Sequence, residues 1–348
     1  MVVNNKDLLF KGEIISGPDK KRLDLINRKL LYLLSINARF SATSLAKSLK
    51  VSREVISYRI KKLEEEGFLH GFFTLVDVKK LGWQLHIIYV KLYNTKKYEE
   101  IIRYLLSEEI VTRLKETGGS YDLQVILTSR TLEELDSFLE KFFNEFSSEV
   151  KDYSLLRMVE EGFLGMGLLL EENEKKNIAV KDIKGSSFQK EFLKIRKGIE
   201  RVTIDEVDKE ILKLLNHNAR MTIKQISASV NLSHTSVENR IRNLVRNGVI
   251  QSMYPLFSIS QLGYQWFKVF VQVRNLDKTK FLEYLKSQKN ILWYMKLIGK
   301  WDYQFSVFAK NNIEFFEILN SIRNEFSDNI TSYDSLIILN QRKFVHRL

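Results

Sequence analysis

Apolar residues along the chain follow two rhythms, helical and alternating, and the whole succession occurs twice. In the first stretch Leu30, Leu31, Leu33 and Leu34 mark one helix, and Leu45, Ala46 and Leu49 mark a second. The pattern breaks at Val51-Ser52 and resumes at helical spacing with Ile56, Ile60 and Leu63. Ser52 suits the N-cap of this third helix, because its hydroxyl can accept from an otherwise unpaired backbone N–H. Gly67 ends the helix by tolerating positive φ. Segments 68–76 and 249–257 alternate enough to form a two-stranded wing. Beyond Gly82 the order becomes strand, helix, strand, strand, helix, strand, over 85–92, 98–106, 110–115, 123–127, 132–146 and 150–158. The second copy repeats it over 267–273, 281–285, 291–297, 303–308, 315–326 and 330–339. That order predicts a ferredoxin-like α+β sandwich, with two helices covering one sheet face. Val269, Val271 and Val273 lie on one side of their strand and Phe270 on the other. A strand apolar on both faces is normally buried on both, so the open sheet faces should meet, as an intrachain pseudo-dimer or a homodimer.

The repeat has a fixed register. Residues 23–82 align with 204–263 at an offset of 181, matching Asn37-Ala38-Arg39 with Asn218-Ala219-Arg220, Ser52 with Ser233, and Arg59-Ile60 with Arg240-Ile241. After one deletion the offset is 180, pairing Gly119 with Gly299, Asp122 with Asp302 and Tyr153 with Tyr333. A period this long indicates duplicated domains rather than a solenoid. The predicted fold class is α+β, two copies of a winged helix-turn-helix followed by a ferredoxin-like (βαββαβ) sandwich domain. The expected boundaries are an N-terminal extension 1–22, a winged helix-turn-helix 23–82, a sheet domain 83–167, a charged linker 168–202, a second winged helix-turn-helix 203–263 and a second sheet domain 264–348. The linker is acidic over 171–176 and basic over 190–197.

If Ile56, Ile60 and Leu63 point inward, then Arg53, Glu54, Ser57, Tyr58 and Lys61 point outward. In the second copy Val237, Ile241 and Leu244 are the inward set, and His234, Thr235, Glu238, Asn239 and Arg242 the outward one. These are donors and acceptors suited to base edges and phosphates of double-stranded DNA, on the half of a helix that a major groove accepts. Lys62 and Arg246 add charge nearby. Arg59 and Arg240 each sit beside a core isoleucine, where they can contact phosphate or brace the preceding helices through a salt bridge. A wing would touch the DNA backbone, setting register rather than sequence choice. Glu64-Glu65-Glu66 offsets Lys61-Lys62 in the first copy, which suits an adaptor that holds part of the transcription machinery. The copies need not do the same job.

A net charge of +12 favours a polyanionic partner through counterion release. The absence of cysteine excludes disulfides, thiolate zinc sites and cysteine nucleophiles. The longest apolar run, 162–170, is too short to cross a membrane, and the N-terminus lacks signal-peptide order, so no membrane partner and a cytoplasmic location are expected. No P-loop, GxGxxG, HExxH or GxSxG segment occurs, and neither a cofactor nor a metal site is expected.

The helix-turn-helix residues 205–263, the sheet domain after them and its turn Gly299-Lys300-Trp301-Asp302-Tyr303 resemble the Lrp/AsnC family of feast/famine transcription regulators. The resemblance covers both repeats and implies a DNA-binding first domain, dimerisation through the sheet domain, and a small effector such as an amino acid near the glycine/aspartate turn. Carried over, that turn is Gly119, Tyr121 and Asp122 in the first copy and Gly299, Trp301 and Asp302 in the second. The residues also allow a plainer reading, in which the two aspartates order a tight strand connection and the two aromatics belong to the core. The tandem duplication, the N-terminal extension and the long linker depart from the family. Siroheme decarboxylases resemble the same architecture and depend on histidine and arginine gathered in a sheet-domain cavity. Of the histidines here, only His86 falls in a sheet strand and its counterpart is Phe267, so an enzyme is not expected.

Overall fold

The computed structural model describes residues 22–176, 178 and 201–348. The N-terminal extension other than Arg22 and the basic stretch of the linker lie outside the described residues. Strands run in chain order β1 Leu69–Val76, β2 Gln84–Leu92, β3 Val111–Gly119, β4 Leu123–Ser129, β5 Val150–Phe163, β6 Ile250–Phe257, β7 Gln265–Val273, β8 Ile291–Ile298, β9 Tyr303–Ala309 and β10 Ile330–Phe344. The chain divides into two compact units, and neither is one copy of the repeat. Both helix-turn-helix segments lie in one unit and both sheet domains in the other.

In the helix-turn-helix unit the first copy contributes helices Leu25–Ile36, Ala42–Leu49 and Arg53–Glu65, and the second Glu206–His217, Ile223–Val230 and His234–Arg246. Each begins on a side chain that accepts from the N3 backbone N–H: Asp24, Ser41 and Ser52, then Asp205, Thr222 and Ser233. Thr222 and Gln225 complete a reciprocal capping box. The middle helices end on left-handed residues, Lys50 at φ 54° and Asn231 at φ 53°, which turn the chain toward the third helix.

The expected wing does not form within a copy. β1 pairs antiparallel with β6 of the other copy, and Phe73 lies opposite Tyr254, its own equivalent in the repeat. The pairing is therefore centred on a pseudo-two-fold axis. Phe72, Phe73 and Leu75 are buried, as are Met253 and Tyr254, so this ribbon is core rather than a backbone-touching wing. The physical reason is composition: strands apolar on both faces gain more from mutual burial than from a solvated hairpin.

In the sheet unit each copy folds in the expected βαββαβ order. Helices Tyr98–Ser107 and Leu132–Glu145 cover one sheet face, and Lys278–Ser287 and Asn312–Glu325 cover the other. The strands close into a barrel in the order β10-β3-β4-β2-β5-β8-β9-β7. Closure comes from the long last strands. β5 pairs first with β2, from Leu92↔Val150 to Leu85↔Met158, and then with β8 of the other copy, from Arg157↔Ile298 to Phe163↔Trp293. β10 does the same with β7 and then β3. The sheets meet as expected, but they join along both edges and leave no open strand between copies. Val269 and Val271 pack under the helices, while Phe270 on the opposite side meets Tyr89 of the first copy edge-on at 5.1 Å. Tyr89, Gln124 and Gln304 form a buried hydrogen-bonded cluster across the barrel interior. Among the described residues no helix is long and apolar enough to cross a membrane.

Candidate nucleic-acid interface

The third helix of each copy presents the expected faces. Ile56 and Leu63 are buried in the first with Ile60 half-buried, and Val237, Ile241 and Leu244 are buried in the second. Arg53, Glu54, Ser57, Tyr58, Lys61 and Lys62 are exposed, Tyr58 by 63% despite its ring. Lys61 pairs with Glu65 at 3.5 Å and Lys62 with Glu66 at 3.9 Å along the helix. Its own backbone N–H and the Ser52 hydroxyl hold the Glu54 carboxyl below its usual range. In the second copy His234, Thr235, Asn239 and Arg246 are exposed. Glu238 and Arg242 are half-buried, and the Arg242 guanidinium donates to Glu238 at 3.2 Å and to Asn239 Oδ1 at 3.1 Å. One polar comb is thus preassembled on this helix.

Arg59 and Arg240 turn back toward their own first helices. Arg59 Nη1 donates to Asp24 Oδ2 at 2.7 Å and Asn27 Oδ1 at 2.9 Å. Arg240 Nη1 donates to Asp205 Oδ2 at 2.8 Å and Asp208 Oδ1 at 2.9 Å. Bonds to Asp208 and Asp205 hold the Arg240 guanidinium above even its usual range. In turn the Asp208 N–H and Arg240 hold the Asp205 carboxyl low. These contacts satisfy the bracing role and fix the third helix against the capped start of the first.

Sequence reasoning missed the inter-copy clasp built from the repeated Asn-Ala-Arg. Asn37 Oδ1 accepts from Arg39 N at 2.9 Å and Asn218 Oδ1 from Arg220 N at 2.8 Å, setting both arginines in local turns. Arg39 Nη1 then donates to the carbonyls of Ala219 at 2.7 Å and Met221 at 2.9 Å. Arg220 Nη1 reciprocates to Ala38 and, at 3.2 Å, to Phe40. Ala38 N–H and Ala219 N–H donate to Met253 O and Phe72 O, tying each turn to the other copy's strand. Burial, with the Arg220 charge adding to it, brings the Arg39 guanidinium down to about 10. The available signal was the identity of the tripeptide, which serves equally well as a mere alignment anchor.

The two glycine/aspartate turns lie in the sheet unit. Asp122 Oδ2 accepts from Leu92 N at 2.8 Å, and its Oδ1 meets Lys91 Nζ at 3.1 Å. Asp302 Oδ2 accepts from Val273 N at 2.8 Å. Tyr121 and Trp301 are buried, the first against Tyr89 and the second against Phe270, at ring distances of 5.5 and 5.8 Å. Gly119 has φ +119° and Gly299 φ +135°, and a Cβ on Gly299 would lie 2.7 Å from Leu156 Cδ2. Each turn therefore fits its glycine to the crossing strand of the other copy.

Two helix-turn-helix readers held together by their own strands, with sheet domains closed into one barrel, define a tandemly duplicated DNA-binding protein. Residues 23–64 match the AsnC-type helix-turn-helix domain, and residues 204–251 match the winged helix-turn-helix DNA-binding family. An HTH-type transcriptional regulator of Pyrococcus furiosus is 33% identical over 142 residues, 40% of this chain and 96% of that relative. Regulatory protein AsnC of Haemophilus influenzae is 30% identical over 118 residues, 34% of this chain and 79% of that protein. The chain belongs to the Lrp/AsnC family of transcription regulators. Over 92% of this chain and 93% of the other, its fold is similar to the siroheme decarboxylase NirDL, with a TM-score of 0.61 at 15% identity.

Proposed function

We propose that this regulator reads promoter DNA in the cytoplasm as a single-chain counterpart of a dimer, through the helices Arg53–Glu65 and His234–Arg246. The observation that carries the reading is the exposed polar face on each helix, above a buried apolar one, in a unit whose copies are locked by β1–β6 pairing. Arg53, Ser57, Tyr58, Lys61 and Lys62 form the first reading face, and His234, Thr235, Asn239, Arg242 and Arg246 the second. The second is the stronger reader, because Arg242 and Arg246 face only Glu238, while three glutamates follow Lys61-Lys62. Arg59 and Arg240 act indirectly, by holding each helix in place. Replacing Arg242 and Arg246 with alanine should weaken DNA binding and flatten the dependence of log K on log salt. Unchanged affinity and slope would remove this helix from the interface.

The proposal extends to a small effector, such as an amino acid, near the turns at Gly119 and Gly299. Asp122 and Asp302 already accept backbone N–H groups, so a ligand there meets their remaining lone pairs and the turn backbone. Titration calorimetry with each amino acid, before and after Asp302→Ala, tests this; no heat from any of them would leave the turns a structural role alone. A second reading, an enzyme acting on siroheme as NirDL does, is favoured by the shared fold. Against it, His86 shares the helix-covered side of β2 with Ile88 and Val90, away from the barrel interior. Loss of carboxyl groups from siroheme incubated with the protein would favour that second reading.

A further inference from the structure

Among the described residues, the buried charges inside the sheet barrel gather at one pole. Arg113 and Lys115 on β3, Glu161 on β5 and Lys268 on β7 are buried, with Lys115 4% and Lys268 2% exposed. Arg113 and Glu161 neutralise each other in a two-pronged pair at 2.7 and 3.0 Å. The lysines are left without such a partner. Lys268 Nζ donates to Ser306 Oγ at 2.8 Å, and both ammonium groups lie over the Trp266 ring, at 4.9 Å for Lys268 and 5.0 Å for Lys115. Among the described residues neither lysine pairs with a carboxylate, and no hydrogen-bond acceptor faces the Lys115 ammonium. Trp266 Nε1 is likewise buried without an acceptor.

The repeat shows that the fold does not require these groups. At the equivalent pole Lys115 becomes Met295, Lys268 becomes Ile87, Arg113 becomes Trp293, Glu161 becomes Gln341, Ser306 becomes Ile126 and Trp266 becomes Leu85. The same barrel is thus built once with an uncharged lining and once with two buried lysines that have no carboxylate of their own. A buried charge without a counter-ion is strongly unfavourable, so its retention at one pole calls for a compensating anion.

We propose that this pole is a binding site for a small oxyanion, a carboxylate or phosphate group, held by Lys115 and Lys268. The Ser306 hydroxyl and Trp266 Nε1 supply further donors. Both lysines meet the same indole, so one ligand group can reach both. Burial brings the Lys268 ammonium down to about 7 and holds Lys115 well below its usual range; neighbouring cations add to the effect and the Glu161 carboxylate, already paired with Arg113, opposes it only in part. Among the described residues, Arg113, Glu161, Gln124, Gln304, Gln341 and Tyr89 are further buried polar groups on the surrounding strands. An arriving anion restores the lysine charge, so binding takes up protons and strengthens as pH falls toward 7.

The test is calorimetric titration of the intact protein near pH 7 with inorganic phosphate and, separately, with succinate. Millimolar ligand should give heat and raise the melting temperature, by about 5 °C at roughly a hundred times the dissociation constant. Heat with phosphate alone assigns a phosphate group, and heat with succinate alone a carboxylate. Repeating the titration in two buffers of different ionisation enthalpy should show about one proton taken up per anion. The double variant Lys115→Met, Lys268→Ile installs the residues of the opposite pole and should weaken binding by more than about tenfold. Should that variant not fold, Lys268→Met alone and the proton uptake of the unaltered protein decide. Neither heat nor thermal shift with either anion, binding without proton uptake, or full affinity in the folded variant would overturn the proposal.

Discussion

Replacing Arg39 with methionine should loosen the pairing of the two helix-turn-helix copies. The guanidinium donates to the carbonyls of Ala219 and Met221 in the opposite copy, and Ala219 is fully buried. Methionine keeps the stem volume but leaves the Ala219 carbonyl without this donor, at a cost of about 1–3 kcal/mol. For a unit of this size about 2 kcal/mol lowers the melting temperature by roughly 5 °C. The reciprocal variant Arg220→Met should behave alike. Because the two guanidiniums repel each other, each single variant also relieves that repulsion, so the double variant should lose more than the sum of the single losses. Calorimetric melting of the whole protein reads the effect, with the exposed Arg53→Ala as a control expected to stay within about 1 °C. An Arg39→Met protein that melts with the unaltered one would refute the clasp.

Other expectations follow from the same geometry. Arg240→Ala should destabilise the protein by about 0.5–1 kcal/mol in denaturant unfolding, a partly exposed brace being screened by solvent; Arg246→Ala should leave stability unchanged and weaken DNA binding. Gly299→Ala forces a side chain into a left-handed backbone 2.7 Å from Leu156 and should cost about 2 kcal/mol or more, read as a lower urea midpoint. The folded pKa of Lys268, about 7, lies below its ordinary 10.5, so in the ligand-free protein its destabilising effect is full below pH 7 and is relieved as pH rises from 7 to 10.5. Lys268→Ile should therefore flatten the rise in stability over that window, and an unchanged pH profile would contradict the assignment.

Much of this molecule was legible in periodicity. The three-helix pattern, the Ser52 cap and the inward sets around Ile56 and Val237 were visible because a cap and a 3.6-residue stripe are local properties. What stayed hidden depends on partners distant in sequence. Residues 159–163, with Glu160 and Glu161 before Gly162, read as the end of a strand, yet they continue β5 because β8 offers an edge to pair with. Segments 68–76 and 249–257 alternate as a wing would, and only the three-dimensional pairing shows that each is the other's mate. Lysine in an alternating strand normally reads as a solvent-facing position, so Lys115 and Lys268 gave no signal until the barrel closed over them. The aspartates of the glycine turns were legible as candidates, and their bonds to Leu92 and Val273 became clear only from geometry.

The central claim is that one chain reads DNA with two different helices. At matched positions Tyr58 stands where the second copy has Asn239, so one offers a hydroxyl and a ring and the other an amide able to bond adenine in two places. Selection of binding sites from random DNA, followed by footprinting at one chain per site, tests this directly. The account expects two unlike half-sites about one helical turn apart, with Asn239→Ala relaxing the choice in one of them and leaving the other unchanged. A perfect palindrome bound by a single chain, or no enrichment over random sequence, would contradict it.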